Sequence, residues 1–391
     1  MLGLLAALSA LCFSAQGRAE SLAWTVGDAR LEPLTFDDLP GWRLDDHRLA
    51  FETFIKTCRA IIEDVDALKT ARPASDDLRA VCRAALDAEG APDPRSFFER
   101  WFRPYEVVPP GERGFLTGYF EPEFQGALTA SAEFPVPLLA RPLDLVTVPR
   151  GESWPGLEGL QAARRTERGV GPYPDRAAIE DGALGSLAQP VLYLRDAVDA
   201  FIVHVQGSAR IRLPDRRTVR VAYAGKNGHP FTAIGRVIVE RGHVPLAEMN
   251  LERLTAWLRE NPAEAREIMR LNRSYVFFRL VEELGPNDGP IGAAGVPLTP
   301  ERSLAVDRHL WSYGLPFWLE GELPAEGRGV VPLARLMIAQ DTGSAILGPA
   351  RGDYFFGSGH KAGTRAGRLR HRVRFVVLWP KGGLPSASPG P

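Results

Sequence analysis

From Pro109-Pro110 onward the chain is cut into short apolar runs by glycine, proline and small polar residues, and this punctuation restricts the fold more than any other feature. Strand-like runs fall at Phe115–Phe120, Val191–Leu194, Phe201–Gln206, Thr218–Tyr223, Tyr275–Leu280, Ser303–Val306, Arg335–Gln340 and Val373–Trp379. They are short and non-local, and no strand–helix–strand alternation links them. Barrels or sandwiches are therefore favoured over a doubly wound sheet. The 39 glycines and 33 prolines among 391 residues agree with a turn-rich, mainly β chain.

Helical patterns come first and in the middle. Phe51, Phe54, Ile55, Cys58, Ile61, Ile62 and Val65 recur with helical period, as do Leu78, Val81, Cys82, Ala85 and Leu86. A short helix is expected around Phe97 to Phe102, behind Pro92 and Pro94. Asn250 is suited to cap Leu251–Leu258, and Ala263–Leu271 follows the break at Pro262. Cys58 and Cys82 both lie on apolar helix faces, so they are either a disulfide or two small core residues.

The first 19 residues read as a signal peptide. Leu2 to Ala15 is an apolar run, and Ala19 offers a small residue at a cleavage point. The run is too short for a convincing membrane span. Leu11 before Cys12 argues against lipid attachment, so the expectation is a soluble periplasmic protein, with outer-membrane association left open. A net charge of −1 gives no basic surplus for nucleic acid. No cysteine pair or His-Glu-x-x-His pattern suggests a metal, and no cofactor is expected. The Gly/Ser/Pro-rich tail over 382–391 reads as disordered.

Three aspartates stand in glycine-rich surroundings near the C-terminus: Asp307, Asp341 and Asp353. Each borders a strand-like run, so a barrel can bring them to one end. Neighbouring carboxylates resist joint ionisation, which keeps one protonated and available as an acid. The competing reading is three turn aspartates accepting backbone N–H bonds. Asp341-Thr342-Gly343 also looks like an aspartic-protease tripeptide, but that chemistry needs a second copy and the chain has none. Two further segments, Gly114 to Pro122 and Val205 to Arg210, mix aromatic rings with amide and hydroxyl groups, as sugar sites do. His204 reads as structural.

Taken in order, these segments resemble the membrane-bound lytic murein transglycosylase A family. The resemblance runs through Thr117-Gly-Tyr-Phe-Glu-Pro122, Phe134-Pro-Val-Pro137, Tyr173, Arg176 to Glu180 and Asp196 to Phe201. It continues through Gln206-Gly-Ser208, Gly225-Lys-Asn-Gly228, Ile234-Gly-Arg236, Asn272 to Phe278, Gly289-Pro-Ile-Gly292, the three aspartates and Ala362 to Gly367. It implies a mainly β fold: a double-psi β-barrel with an inserted smaller β-barrel domain, plus N-terminal helices. The barrel would comprise 20–139 and 285–391, with a three-aspartate region over about 289–380. The insert, 140–284, would form the other wall of a glycan groove. The implied activity is cleavage of the β-1,4 bond between N-acetylmuramic acid and N-acetylglucosamine, leaving 1,6-anhydromuramoyl ends. Asp353 would be the catalytic acid, with Asp341 and Asp307 supporting it. Thr117, Gly118, Tyr119, Glu121, Gln206, Gly207, Ser208 and Arg210 would meet the substrate. The implied partners are peptidoglycan strands and other murein-synthesis or wall-remodelling proteins, the enzyme itself being a monomer. The alternative is a non-catalytic peptidoglycan-binding or wall-loosening barrel, since the fold alone does not separate the two.

Overall fold

The structure is a computed structural model and describes residues 24–90, 93–111, 113–149, 152–281 and 288–382. The signal-peptide segment and the tail expectation lie outside these residues, apart from Gly382.

Six strands close on themselves. In spatial order they are Gly114–Glu121, Arg370–Pro380, Pro316–Pro324, Val330–Asp341, Ser303–Val306 and Arg351–Ser358, which returns to Gly114–Glu121. Two of the six pairings are parallel: Ser303–Val306 with Val330–Asp341, and Arg351–Ser358 with Gly114–Glu121. The other four are antiparallel. Parallel neighbours cannot be joined by a hairpin, so the chain must leave the barrel and return. The inward faces of Phe317, Leu319, Met337, Tyr354, Phe375 and Val377 fill the core. The end of Arg370–Pro380 pairs with Phe102–Val108, extending the sheet outward to Ala29–Pro33 and Trp24–Val26.

The helix His47–Ile62 lies over the Val330–Asp341 strand. This explains why Leu336-Met-Ile-Ala-Gln340 is buried on both faces rather than alternating. Gln340 Nε2 donates to Thr53 O (3.0 Å) and Thr57 Oγ1 (2.7 Å) of that helix. Cys58 and Cys82 form a disulfide, Cα atoms 4.8 Å apart, tying the helix to Asp76–Asp87. The helices centred on Phe54, Cys82, Phe98, Leu254 and Ile268 all appear where their periodicity places them.

The second sheet runs Val276–Val281, Thr218–Lys226, Ser208–Arg212, Glu123–Ala127, Pro190–Leu194, Val136–Leu139. A bridge between Ala140 and Phe278 joins its first and last strands, making a smaller barrel around Leu138, Leu192, Ala209, Val221 and Phe278. It is inserted between the first strand of the larger barrel and the other five. The fold is thus mainly β, a double-psi barrel with an inserted smaller barrel and N-terminal helices.

One local expectation fails. Phe201–Gln206 is not a strand but the second half of a helix, Ala197–Gln206. Asp196 accepts from Asp199 N (2.8 Å) at its start, and Gly207 ends it in the left-handed region (φ 80°). The helix is buried nearly all round, so the Phe-Ile-Val-His-Val run lacks the polar stripe that would have marked its period.

Candidate active site

Ala305 is the register partner of Asp341 on one side and of Asp353 on the other. Asp353 in turn is opposite Thr117, and Thr117 opposite Arg370. Cross-strand partners share a face, so Asp341, Ala305, Asp353 and Thr117 form one row across four strands. At about 4.8 Å per strand the two aspartates stand roughly 10 Å apart by backbone, with only a methyl group between them. A bulge creates this row. Leu304 faces Ala339 but Ala305 faces Asp341, skipping Gln340, whose side chain is held beneath the helix by Thr53, Thr57 and Ser303.

Asp353 is half-buried. Thr117 Oγ1 donates to its Oδ1 at 2.6 Å, and Arg351 Nη2 donates to the same hydroxyl at 2.8 Å. Burial pushes the Asp353 carboxyl up to about 6, against the Thr117 hydrogen bond and the Arg351 charge, and the charge on Asp341 adds to the rise. Asp341 accepts three hydrogen bonds: from Tyr119 Oη (2.9 Å), Ala293 N (2.9 Å) and Thr342 N (2.8 Å). Burial first, then the charge on Asp341 and the hydrogen bond to it, hold the Tyr119 hydroxyl well above its usual range, so it stays a donor. Asp307 is buried and differently used. It accepts from His309 N (2.9 Å) and Gly348 N (2.8 Å), bracing two turns. No hydrogen bond links any two of the three aspartates among the described residues.

The other residues singled out in the sequence gather at the junction of the two barrels. Glu121 is fully buried. It accepts from Ser358 Oγ (2.6 Å) and pairs with Arg210 (3.0 Å) and Arg220 (3.0 Å) of the smaller barrel. Gly118 has Phe356 and Ala366 against it, a Cβ there falling 2.6 Å from the Phe356 ring. Gln206 Oε1 accepts from Phe120 N at 3.4 Å, and Ser208, buried, opens the next strand after Gly207. His204 is structural as expected: its Nδ1 accepts from Val276 N (3.1 Å), and burial lowers its basicity well below normal. Sequence reasoning overlooked Ala305 and Arg351. The second was within reach, because Arg351 and Asp353 are two apart and share a face once Arg351–Ser358 is recognised as a strand.

A barrel whose strand ends carry such a row defines the class, and comparison with known proteins gives the family. The MltA specific insert domain model matches residues 115–279, and the 3D domain model matches 302–379. The crystal structure of a membrane-bound lytic murein transglycosylase from Agrobacterium tumefaciens is 35% identical with a TM-score of 0.80, covering 90% of this chain and 98% of that one. Escherichia coli MltA, solved with bound chitohexaose, is 25% identical with a TM-score of 0.64, covering 92% and 93%. Membrane-bound lytic murein transglycosylase A of Vibrio cholerae is 37% identical over 216 residues, 54% of this chain and 56% of that protein. The chain belongs to the membrane-bound lytic murein transglycosylase A family. Its alignment spans little more than half the length of the curated Vibrio relative. Among the described residues, no helix is long and apolar enough to cross a membrane.

Proposed function

We propose that this protein is a peptidoglycan lytic transglycosylase with Asp353 as its single acid and base. The observation that carries the reading is a half-buried carboxyl, raised to about 6 and oriented by Thr117, with only Ala305 between it and Asp341 in the row. A carboxyl near 6 retains a useful protonated fraction at neutral pH and remains a competent base once ionised. In the first step Asp353 gives its proton to the oxygen bridging N-acetylmuramic acid and N-acetylglucosamine. The bond from muramoyl C1 to that oxygen breaks, leaving positive charge shared between C1 and the ring oxygen. In the second, the Asp353 carboxylate takes the proton of the same sugar's 6-hydroxyl as that oxygen bonds to C1. A 1,6-anhydro ring results and the acid is regenerated. No second carboxylate is needed, because an internal hydroxyl replaces the water that a hydrolase must activate.

In this scheme Asp341, held by the Tyr119 hydroxyl, supplies fixed charge beside the reacting sugar, and Asp307 braces the neighbouring turns at His309 and Gly348. Gly118, Gln206, Gly207 and Ser208 border the glycan's path, while Glu121 and Arg210 act from behind as a fixed pair. We assign the two walls of that path to the two barrels, between which the chain passes at Pro122 and again between Val281 and Ser303, and we infer export to the periplasm. The test is product analysis on purified murein sacculi. Asp353→Asn folds with a normal melting transition and releases no anhydromuropeptides; wild-type turnover by this variant would overturn the assignment. Reducing ends in place of anhydro ends from the parent protein would make it a hydrolase. No soluble product at all would favour a wall-binding barrel.

A further inference from the structure

Lys69, Lys226 and Arg308 reach one place from three separate parts of the fold. Lys69 lies beyond the helix His47–Ile62, Lys226 ends the smaller-barrel strand Thr218–Lys226, and Arg308 opens the turn after Ser303–Val306. Lys69 Nζ sits 4.5 Å from the centre of the Tyr223 ring, three residues before Lys226 on the same strand. Arg308 Nη1 donates to Thr70 O at 2.8 Å, fixing its guanidinium next to Lys69, and Tyr313 Oη donates to Lys69 O at 3.0 Å. Behind Lys226, the fully buried Asn227 donates to Pro174 O (3.0 Å) and Arg273 O (2.9 Å) and accepts from Tyr275 N (2.9 Å). The Gly225-Lys-Asn-Gly228 turn is therefore rigid.

By contrast, Arg210 and Arg220 share Glu121, and Arg302 pairs with Asp45 at 2.7 Å. Among the described residues, none of Lys69, Lys226 and Arg308 has a carboxylate within 4.0 Å. Instead they act on one another. Burial, then the charges of Lys69 and Arg308, push Lys226 down to about 8. Burial lowers Lys69 too, and the charge on Asp341 opposes this. Ala293 links the cluster to the catalytic row: Lys69 N donates to Ala293 O (3.3 Å), and Ala293 N donates to Asp341 Oδ1 (2.9 Å). Half-buried cations assembled on fixed supports without a counter-ion form a preorganised receptor for an anion.

We propose that Lys69, Lys226 and Arg308 form a subsite for a carboxylate borne on the muramic-acid substituent of the glycan. This rests on reading the Asp353 row as a glycan-cleaving site. N-acetylglucosamine carries no acid, whereas muramic acid carries a lactyl group that ends in a carboxylate when bare and bears an acidic peptide when substituted. Either source presents the same chemistry to the cluster. The subsite would thus tell murein from a neutral polymer of the same backbone.

Binding measured in the full-length Asp353→Asn background tests this with three ligands. They are chitohexaose, peptide-stripped murein strands and peptide-bearing murein strands. The Lys69→Gln/Lys226→Gln pair is expected to weaken binding of carboxylate-bearing strands about tenfold, the scale of losing charge-assisted hydrogen bonds, and to leave chitohexaose unchanged. Lys226→Arg, which keeps the charge, is expected to bind like the parent. Loss on both murein ligands assigns the lactyl carboxylate, and loss on peptide-bearing strands alone assigns the stem. Equal loss on all three ligands, or loss on none, overturns the subsite while leaving the glycan-site reading intact. If the parent binds none of the three, the glycan-site reading itself fails.

Discussion

At the scale of single residues, the chemistry is set by the environment of Asp353 rather than by its being one of three. A carboxyl with an unfolded value near 3.9 is raised to about 6 in the fold, chiefly by burial. The folded state then binds its proton more tightly than the unfolded chain does. The stability this group contributes is complete below about pH 4 and is lost as pH rises through 6. Asp353→Asn removes that dependence, so relative to wild type it should gain about 1–3 kcal/mol between pH 4 and pH 8. Parallel denaturant titrations at the two pH values check this, and an unchanged difference refutes it. Catalytic rate should fall as pH climbs above 6, because the first step consumes the protonated form. Thr117 opposes the rise, since its hydroxyl favours the carboxylate. Thr117→Val should accordingly move the descending limb of the pH–rate profile to higher pH, and Thr117→Ser should restore it. A valine profile superposed on the parent's would mean that the 2.6 Å bond does not tune the acid.

At the scale of elements, what was legible in the sequence depended on periodicity and on where polar side chains point. Ser303–Val306 and the helices around Phe54 and Leu254 could be read because their patterns are local. Phe201–Gln206 reads as a strand because a helix buried on nearly every side shows little polar face. The row itself was illegible: it depends on a bulge that skips Gln340, and nothing local announces that Gln340 will turn under a helix to meet Thr53 and Thr57. Asp307 shows the same limit, since the turn reading and the catalytic reading predict the same residue beside the same strand. The choice of Asp353 came from the resemblance and not from spacing. The Cys58–Cys82 pairing was likewise open, because two apolar helix faces do not give a Cα separation. That bond closes a loop across 24 residues and should contribute about 3 kcal/mol on chain-entropy grounds. Urea midpoints with and without reductant measure it, and coincident curves would show that packing of Phe54, Cys82 and Phe98 alone holds the helices.

At the scale of the whole molecule, the two barrels meet where the chain passes from one to the other. Glu121 ends a strand of the larger barrel, and Glu123 begins a strand of the smaller one. The Glu121 carboxylate is held from both sides, by Ser358 of the first barrel and by Arg210 and Arg220 of the second. A fully buried acid shared by two arginines is seldom worth more than well-packed apolar residues would be, but removing one partner strands the others. Its value is positional: it fixes Thr117 and Tyr119, a few residues back on the same strand, relative to Gln206 and Ser208 across the junction. Glu121→Gln keeps the shape but removes the charge that two guanidinium groups require. It should cost about 3–5 kcal/mol, and the loss should spread unequally. Trp257 reports on the smaller barrel's helices, and Trp311 and Trp318 report on the larger barrel's core. In the parent protein their denaturation curves should coincide. In Glu121→Gln the Trp257 signal should unfold first, because the smaller barrel loses both of its ion pairs to Glu121, while the larger keeps its closed ring of strands. Single-tryptophan variants followed by fluorescence decide the matter. Coincident transitions in Glu121→Gln would mean that the barrels are coupled through their wider contact and not through this carboxylate.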